Sequence, residues 1–321
     1  MARLLARSAE CVFWLARQVE RADSLARVLD VNATFSHSAK GELDWTGVLN
    51  IYACEPAFAE RHTRADAESV LKFFILDRDN PGSIVGTIMQ ARENARTLRP
   101  LISTEMWEQL NRFYAQMREL RPRDLMPDRL HALLSSVKEG CQTSFGITTE
   151  TFFRDEAWSF YLLGQQIERA DQTTRLLDAK YQTLLPSPQD IGSPLDISQW
   201  NALLRSAAGF HAYRRVHPRG LSPARVVGFL LLNGRFPRAV QTCSTIASST
   251  VRKLRREHEL ITGAESERVL TSLRDALMGM SSDHVIERGL HETLDWVQSE
   301  LIVATNRLGE EFFAYHRVRS E

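Results

Sequence analysis

Cysteine is scarce. The chain has four, Cys11, Cys54, Cys141 and Cys243, set far apart and without a CxxC pair. This spacing argues against a zinc site or a disulfide framework and leads us to expect a reducing, cytoplasmic setting. Net charge is also lacking: 40 basic side chains balance 40 acidic ones. A neutral chain carries no electrostatic footprint for nucleic acid or an anionic membrane, so neither is expected as a partner. Long apolar runs are missing. The longest, Val226 to Leu232, includes Gly228 and falls far short of the roughly 20 residues of a membrane span. Arg3 and Arg7 are followed by Glu10 and Glu20, with no apolar stretch ahead of a small-residue cleavage site, so no signal peptide is expected. There is no glycine-rich phosphate loop, no nucleophile elbow and no legible Ser/His/Asp arrangement. The nine histidines show no metal spacing, and the strict alternation of a half-buried strand is absent.

Helical periodicity is abundant. Between Ala9 and Leu29 the apolar side chains Val12, Leu15, Ala16, Val19, Ala22, Ala26 and Leu29 share one face. Similar patterns predict helices over Trp45–Ala59, Ala67–Leu76, Ser83–Leu101, Thr104–Arg121, Arg129–Cys141, Glu156–Leu185, Ile197–Arg214, Pro223–Leu232, Pro237–Ile261, Ser266–Met278 and His284–Val318. Pro81 and Pro237 each precede or open a segment, where a missing N–H costs nothing. Pro186 to Pro194 reads as a loop. The expected fold class is all-α.

The chain also resembles itself. Phe13-Trp14-Leu15 through Gln18-Val19-Glu20-Arg21-Ala22-Asp23 matches Phe160-Tyr161-Leu162 through Gln166-Ile167-Glu168-Arg169-Ala170-Asp171, with a one-residue slip upstream. Further anchors keep their order: Arg27-Val28-Leu29-Asp30 with Arg175-Leu176-Leu177-Asp178, Trp45 with Trp200, Phe73–Asp77 with Phe229–Asn233, Pro81 with Pro237, and Arg96 and Arg99 with Arg252 and Arg255. This order predicts a single domain, 1–321, that is a helical bundle built by internal duplication. Its repeats would cover about 1–122 and 149–262, with C-terminal helices over 266–318 and a pseudo-twofold arrangement.

At 100° per residue, Glu20, Asp23 and Arg27 share one edge of their helix and Arg21 points elsewhere. Glu168, Asp171 and Arg175 repeat this, with Arg169 apart. Adjacent residues on a helix do not face each other, so each Glu and Arg must find its partner on another helix or on a ligand. Three readings follow. The motifs form a buried polar network that fixes helix register. Alternatively Glu20, Asp23, Glu168 and Asp171 converge on Mg²⁺ or Mn²⁺, making a divalent-metal-dependent enzyme. A di-iron bundle would need Glu-x-x-His, and His is missing at 23 and 171. In the third reading Arg21 and Arg169 bind an anion or peptide.

A second constellation is Arg92-Glu93-Asn94-Ala95-Arg96. Arg92, Arg96 and Arg99 follow i, i+4, i+7 and make one basic stripe able to grip carboxylate or phosphate. The second copy keeps Arg252 and Arg255 but has Ser248-Ser249-Thr250 where the first has Arg92-Glu93-Asn94. A structural requirement should recur in both copies and a ligand contact need not. Arg92, Glu93, Asn94 and Arg96 are therefore the preferred binding candidates. Tyr213 to Arg219 is a further basic segment, read as a solvated loop.

The same residues resemble a known family. Arg7-Ser8-Ala9-Glu10 through Phe13-Trp14, Arg17 and Glu20-Arg21-Ala22-Asp23 look like the opening of the bacterial alpha-E family, named for its all-helical fold and Glu-Arg motif. Ala91–Arg96 with Ile102-Ser103 and Trp107, Gly164 through Asp171, and Phe236-Pro237-Arg238 are similar to its later motifs. Asp23 stands where that family usually has Glu, and Ala239 where Ser often follows Pro-Arg. The resemblance implies a circularly permuted ATP-grasp protein and a transglutaminase-like protein as partners, hence peptide or amide chemistry. It brings no catalytic residues and implies no cofactor. The leading expectation is a non-catalytic, peptide- or anion-binding component of an ATP-grasp amide-ligase system. The metal-dependent enzyme and a purely structural homo-oligomer are the alternatives.

Overall fold

The structure, a computed structural model, describes residues 4–38, 45–183, 194–257 and 262–313. The described residues are all-α, without strands. In chain order the helices are α1 Ala6–Ser38, α2 Thr46–Tyr52, α3 Glu55–Ala59, α4 Ala67–Leu71, α5 Ile84–Thr97, α6 Thr104–Arg118, α7 Pro127–Thr151 and α8 Glu156–Thr183. They continue as α9 Pro194–Ser206, α10 Phe210–Val216, α11 Pro223–Leu231, α12 Val240–Glu257, α13 Ala264–Met278, α14 Ser282–Arg288 and α15 Leu290–Phe312. A π-helical turn, Lys72–Leu76, extends α4. None of the described helices is long and apolar enough to cross a membrane.

Hydroxyl and carboxylate caps start several helices. Ser83 accepts from Gly86 N, Ser103 from Met106 N, Ser281 from His284 N and Asp66 from Ser69 N. Each satisfies a backbone donor that the first turn leaves free.

Three predicted helices are each split in two, two of them at an alanine. Trp45–Ala59 breaks at Ala53 (φ 49°) and Ile197–Arg214 breaks at Ala208 (φ 54°). At both breaks an amide closes back onto the preceding turn, Cys54 N to Leu49 O and Gly209 N to Leu204 O. This is the left-handed C-terminal closure that glycine usually supplies. The apolar face resumes after each break, so periodicity alone did not register it. The basic segment after Tyr213 is helical as far as Val216. His284–Val318 breaks at Gly289 (φ 107°), and 314–318 lie outside the described residues. So do the Pro186 loop up to 193 and the end of the helix predicted to reach Ile261.

α7 runs past the predicted Cys141 to Thr151. Its continuing face carries buried Ser144 and Thr148, which hide the apolar signal. Both hydroxyls return to helix carbonyls, Ser144 to Gly140 O and Thr148 to Ser144 O, and this makes their burial tolerable.

α1 packs on α8, α5 and α7, while α5 meets α6 and α6 meets α7. α8 likewise packs on α12 and α15, while α12 meets α13 and α13 meets α15. The two clusters join where α1 lies along α8. Contacts advance the same way along both helices, from Leu4 N on Glu156 to Arg21 on Glu168, so the two run parallel. At this seam a Cβ on Gly164 would lie 2.2 Å from Phe13 O. Only glycine lets the two backbones approach so closely.

Candidate functional site

The Glu-Arg motifs meet at the α1–α8 seam. Arg169 donates both Nε and a terminal nitrogen to Glu20, at 3.0 and 2.8 Å. Arg21 does the same to Glu168, at 2.7 and 3.0 Å. Each motif therefore supplies a carboxylate to the other's guanidinium. Two further arginines complete the network. Arg17 Nε donates to Glu168 at 2.7 Å, with its ring-facing side over Trp14. Arg238 bridges Glu20 at 2.7 Å and Asp23 at 2.5 Å. Asp23 also accepts from Arg27, and Asp171 from Arg175, within their own helices.

Burial governs what this network can do. Glu20, Asp23 and Glu168 have no accessible surface, so their charges persist only because guanidinium groups surround them. Burial pushes the Glu168 carboxyl up, but Arg21 and Arg17 outweigh it and hold it down to about 2. Glu20 is lowered in the same way, burial being outweighed by Arg238 and Arg169. Beside them burial pushes the Cys243 thiol up to about 12 and Cys141 well above its ordinary value. Neither thiol is activated as a nucleophile.

The four carboxylates thus face arginines and not one another. Among the described residues there is no group of three His, Cys, Asp or Glu side chains that could hold a metal ion. The lone pairs that Mg²⁺ or Mn²⁺ would need are taken by N–H donors, and the cationic surroundings would repel a further cation. The residues do not fit the divalent-metal reading. Arg21 and Arg169 are likewise committed to Glu168 and Glu20, which takes up the charge an anion would require. The seam is a buried network of ion pairs between the two helices and Arg238. Sequence reasoning attached no role to Arg17 or Arg238 here. The available signal was their place in the family-like motifs, Arg17 after Phe13-Trp14 and Arg238 in Phe236-Pro237-Arg238.

The Arg92 segment is arranged differently. It lies on the α5 face turned toward α1 and α6. Arg92 donates to Asn111 Oδ1 at 2.9 Å and lies over the rings of Trp107 and Tyr114, 5.5 and 5.2 Å from their centroids. Arg99 covers Trp107 from its other neighbour position at 5.3 Å. Glu93 accepts from Arg92 at 2.5 Å and Arg96 at 2.8 Å. Asn94 donates to Gln18 Oε1, and Gln18 donates to Gln90, tying the surface to the helix that bears Glu20. Arg96 and Glu93 stay exposed. Rings and an amide hold Arg92, Trp107 holds Arg99, and Glu93 holds Arg96, all at a surface open to solvent.

The surface of α12 that carries Ser248, Arg252 and Arg255 is built otherwise. Ser248 shares a hydrogen bond with Thr271 and accepts from Arg274 on α13. Arg252 and Arg255 both pair with Glu267. Each surface has one carboxylate shared by two arginines, Glu93 on α5 and Glu267 on α13, but only the α5 surface adds the rings of Trp107 and Tyr114 and the amide of Asn111.

Residues 4–313 match the family described as a predicted alpha-helical domain with a conserved ER motif. Uncharacterised proteins of Mycobacterium bovis and Mycobacterium tuberculosis are 26% identical over 250 residues, which is 71% of this chain and 28% of theirs. The chain therefore aligns with little more than a quarter of the length of these relatives. No solved structure matches. With the family spanning nearly every described residue and its Glu-Arg motifs paired across the seam, the chain belongs to the alpha-E family.

Proposed function

We propose that the chain is a duplicated, non-catalytic helical scaffold that binds an ATP-grasp amide ligase or its peptide product through the Arg92–Arg96 surface. The duplication is supported by reciprocity. Glu20 to Arg169 and Glu168 to Arg21 are the same contact with the halves exchanged. Asp30 meets His131 and Asp178 meets His291, each at 2.7 Å. The breaks at Ala53 and Ala208 fall at matching distances after Trp45 and Trp200. On this reading the repeats are α1–α7 and α8–α15 about a pseudo-twofold along the seam, so the C-terminal helices belong to the second repeat.

The observation that carries the binding role is the contrast between the two faces. The Glu-Arg network is buried, whereas the α5 surface is open to solvent: Arg92 and Arg99 lie over Trp107, and Arg92 and Arg96 share the exposed carboxylate of Glu93. Arginine on aromatic rings is a common recognition surface for carboxylate-bearing partners. Its counterpart on α12 lacks that character, as expected of a contact made by one copy only. The mycobacterial relatives carry a matching segment within a much longer chain, and a helical unit that works beside another protein is expected to occur joined to further sequence.

Co-expression with the circularly permuted ATP-grasp protein tests this. The two should co-purify, and Arg92→Ala with Arg96→Ala should weaken the complex at least about tenfold. An absence of association at micromolar concentration, with or without nucleotide, would remove the proposal.

A further inference from the structure

Away from both constellations, a cavity of about 660 Å³ opens between α1, α7, α9 and α10. Its size falls within the usual range of small-ligand pockets. Arg27, Lys138 and Arg205 line it together with His211, against one acidic side chain, Asp30. Val31, Ala208 and Phe210 supply an apolar wall.

These cations are not equivalent. Arg27 is balanced by Asp23 behind the wall. Asp30 accepts from His131 and from Lys138, each at 2.7 Å, which places the Lys138 ammonium at the rim of the cavity with further donors to spare. Arg205 has no carboxylate within ion-pair distance among the described residues. Its guanidinium rests on the face of Phe210, 4.0 Å from the ring centroid. Stacking fixes the plane of the group and leaves its N–H edge for an oxyanion. The lining therefore joins an oriented, unneutralised guanidinium, a positioned ammonium and an apolar surface.

We infer that this cavity binds a small organic oxyanion, with its carboxylate or phosphoryl oxygens on Arg205 and Lys138 and its apolar part against Phe210 and Val31. One further argument rests on the repeat reading proposed above. On that reading the positions matching Lys138, Arg205 and His211 are Gln298, Asn50 and Pro56. The cations are thus confined to one half, although the Asp–His pair beneath them occurs in both. The fold does not require them.

Calorimetric titration of the full chain tests the site without any partner protein. The probes are inorganic phosphate, and an N-acetylated dipeptide with a free C-terminal carboxylate set against its C-terminal amide. Saturable binding of either anion is expected, weakened about tenfold or more by Arg205→Ala. Binding of the dipeptide acid but not its amide would identify a carboxylate ligand, and binding of phosphate alone a phosphoryl one. Arg205 is exposed and, among the described residues, rests on Phe210 without an ion pair, so its loss is expected to leave the fold intact, and Lys138→Gln provides a second variant. The inference is overturned if neither probe saturates on the order of 10 mM, or if binding is indifferent to Arg205→Ala. Both results are independent of whether the chain associates with a ligase, which depends on a different surface.

Discussion

Glu168 accepts hydrogen bonds from Arg17, Arg21 and Gln172 and has no contact with water. A carboxylate so placed is stable only while every donor remains. Arg238 occupies the same position for Glu20 and Asp23. Arg238→Ala leaves two buried carboxylates short of a partner and is expected to cost about 3 kcal/mol in chemical denaturation. Arg92→Ala removes a half-exposed side chain and should change stability by no more than about 1 kcal/mol. That pair of values separates the architectural arginines from the surface ones. The pH response follows from Glu168. Its folded pKa, about 2, lies below the ordinary 4.5, so its contribution is complete above about pH 4.5 and is lost as pH falls toward 2. The urea midpoint should hold steady down to pH 5 and then decline, and a midpoint unchanged at pH 3 would contradict the assignment. At neutral pH, Cys141 and Cys243 should resist a thiol reagent until the chain unfolds, because burial holds both thiols protonated.

At the level of helices, the seam depends on close approach. Gly164→Ala drives a methyl group into the Phe13 carbonyl, and neither backbone can yield without shifting the salt bridges beyond it. We expect a loss of about 1–3 kcal/mol. Gly146→Ala on α7 is the control. Nothing lies within 4 Å of the added Cβ, and alanine is the better helix former by roughly 0.8–1 kcal/mol, so that variant should be more stable than the parent. The helices themselves were largely legible in the sequence: α5, α6, α8 and α13 follow their apolar stripes closely, while α1 runs on from the predicted Leu29 to Ser38. The shortfalls have particular causes. At Ala53 and Ala208 a residue other than glycine takes the left-handed closing position, and no local signal marks it. In α7 the core face turns to Ser144 and Thr148, whose hydroxyls satisfy themselves within the helix.

Over the whole molecule, the two helical clusters share the α1–α8 seam, where buried charges from each half neutralise those of the other. Neither cluster can detach without exposing unpaired charge and the apolar surface of Phe13, Val19 and Ile167. Unfolding monitored by tryptophan fluorescence and by far-ultraviolet circular dichroism should therefore give one coincident transition. Two separated transitions would show that the clusters are energetically independent.

The division between chain and fold is physical. Periodicity, caps and proline placement act over a few residues, so the all-helical class and most helix positions can be read from order alone. The repeated motifs are likewise visible as text, and in both of them the Glu and the Arg side by side in sequence take partners on the other helix. The identity of each partner is another matter. Arg17 and Glu168 are 151 positions apart, and Arg238 and Asp23 are 215 apart. Only packing brings them together. Packing also decides that the acidic cluster faces arginine and not a metal ion, that Arg21 and Arg169 are neutralised, and that Arg205 reaches an open cavity on the ring of Phe210. Charge neutralisation and burial are properties of three-dimensional neighbours, and a one-dimensional pattern does not contain them.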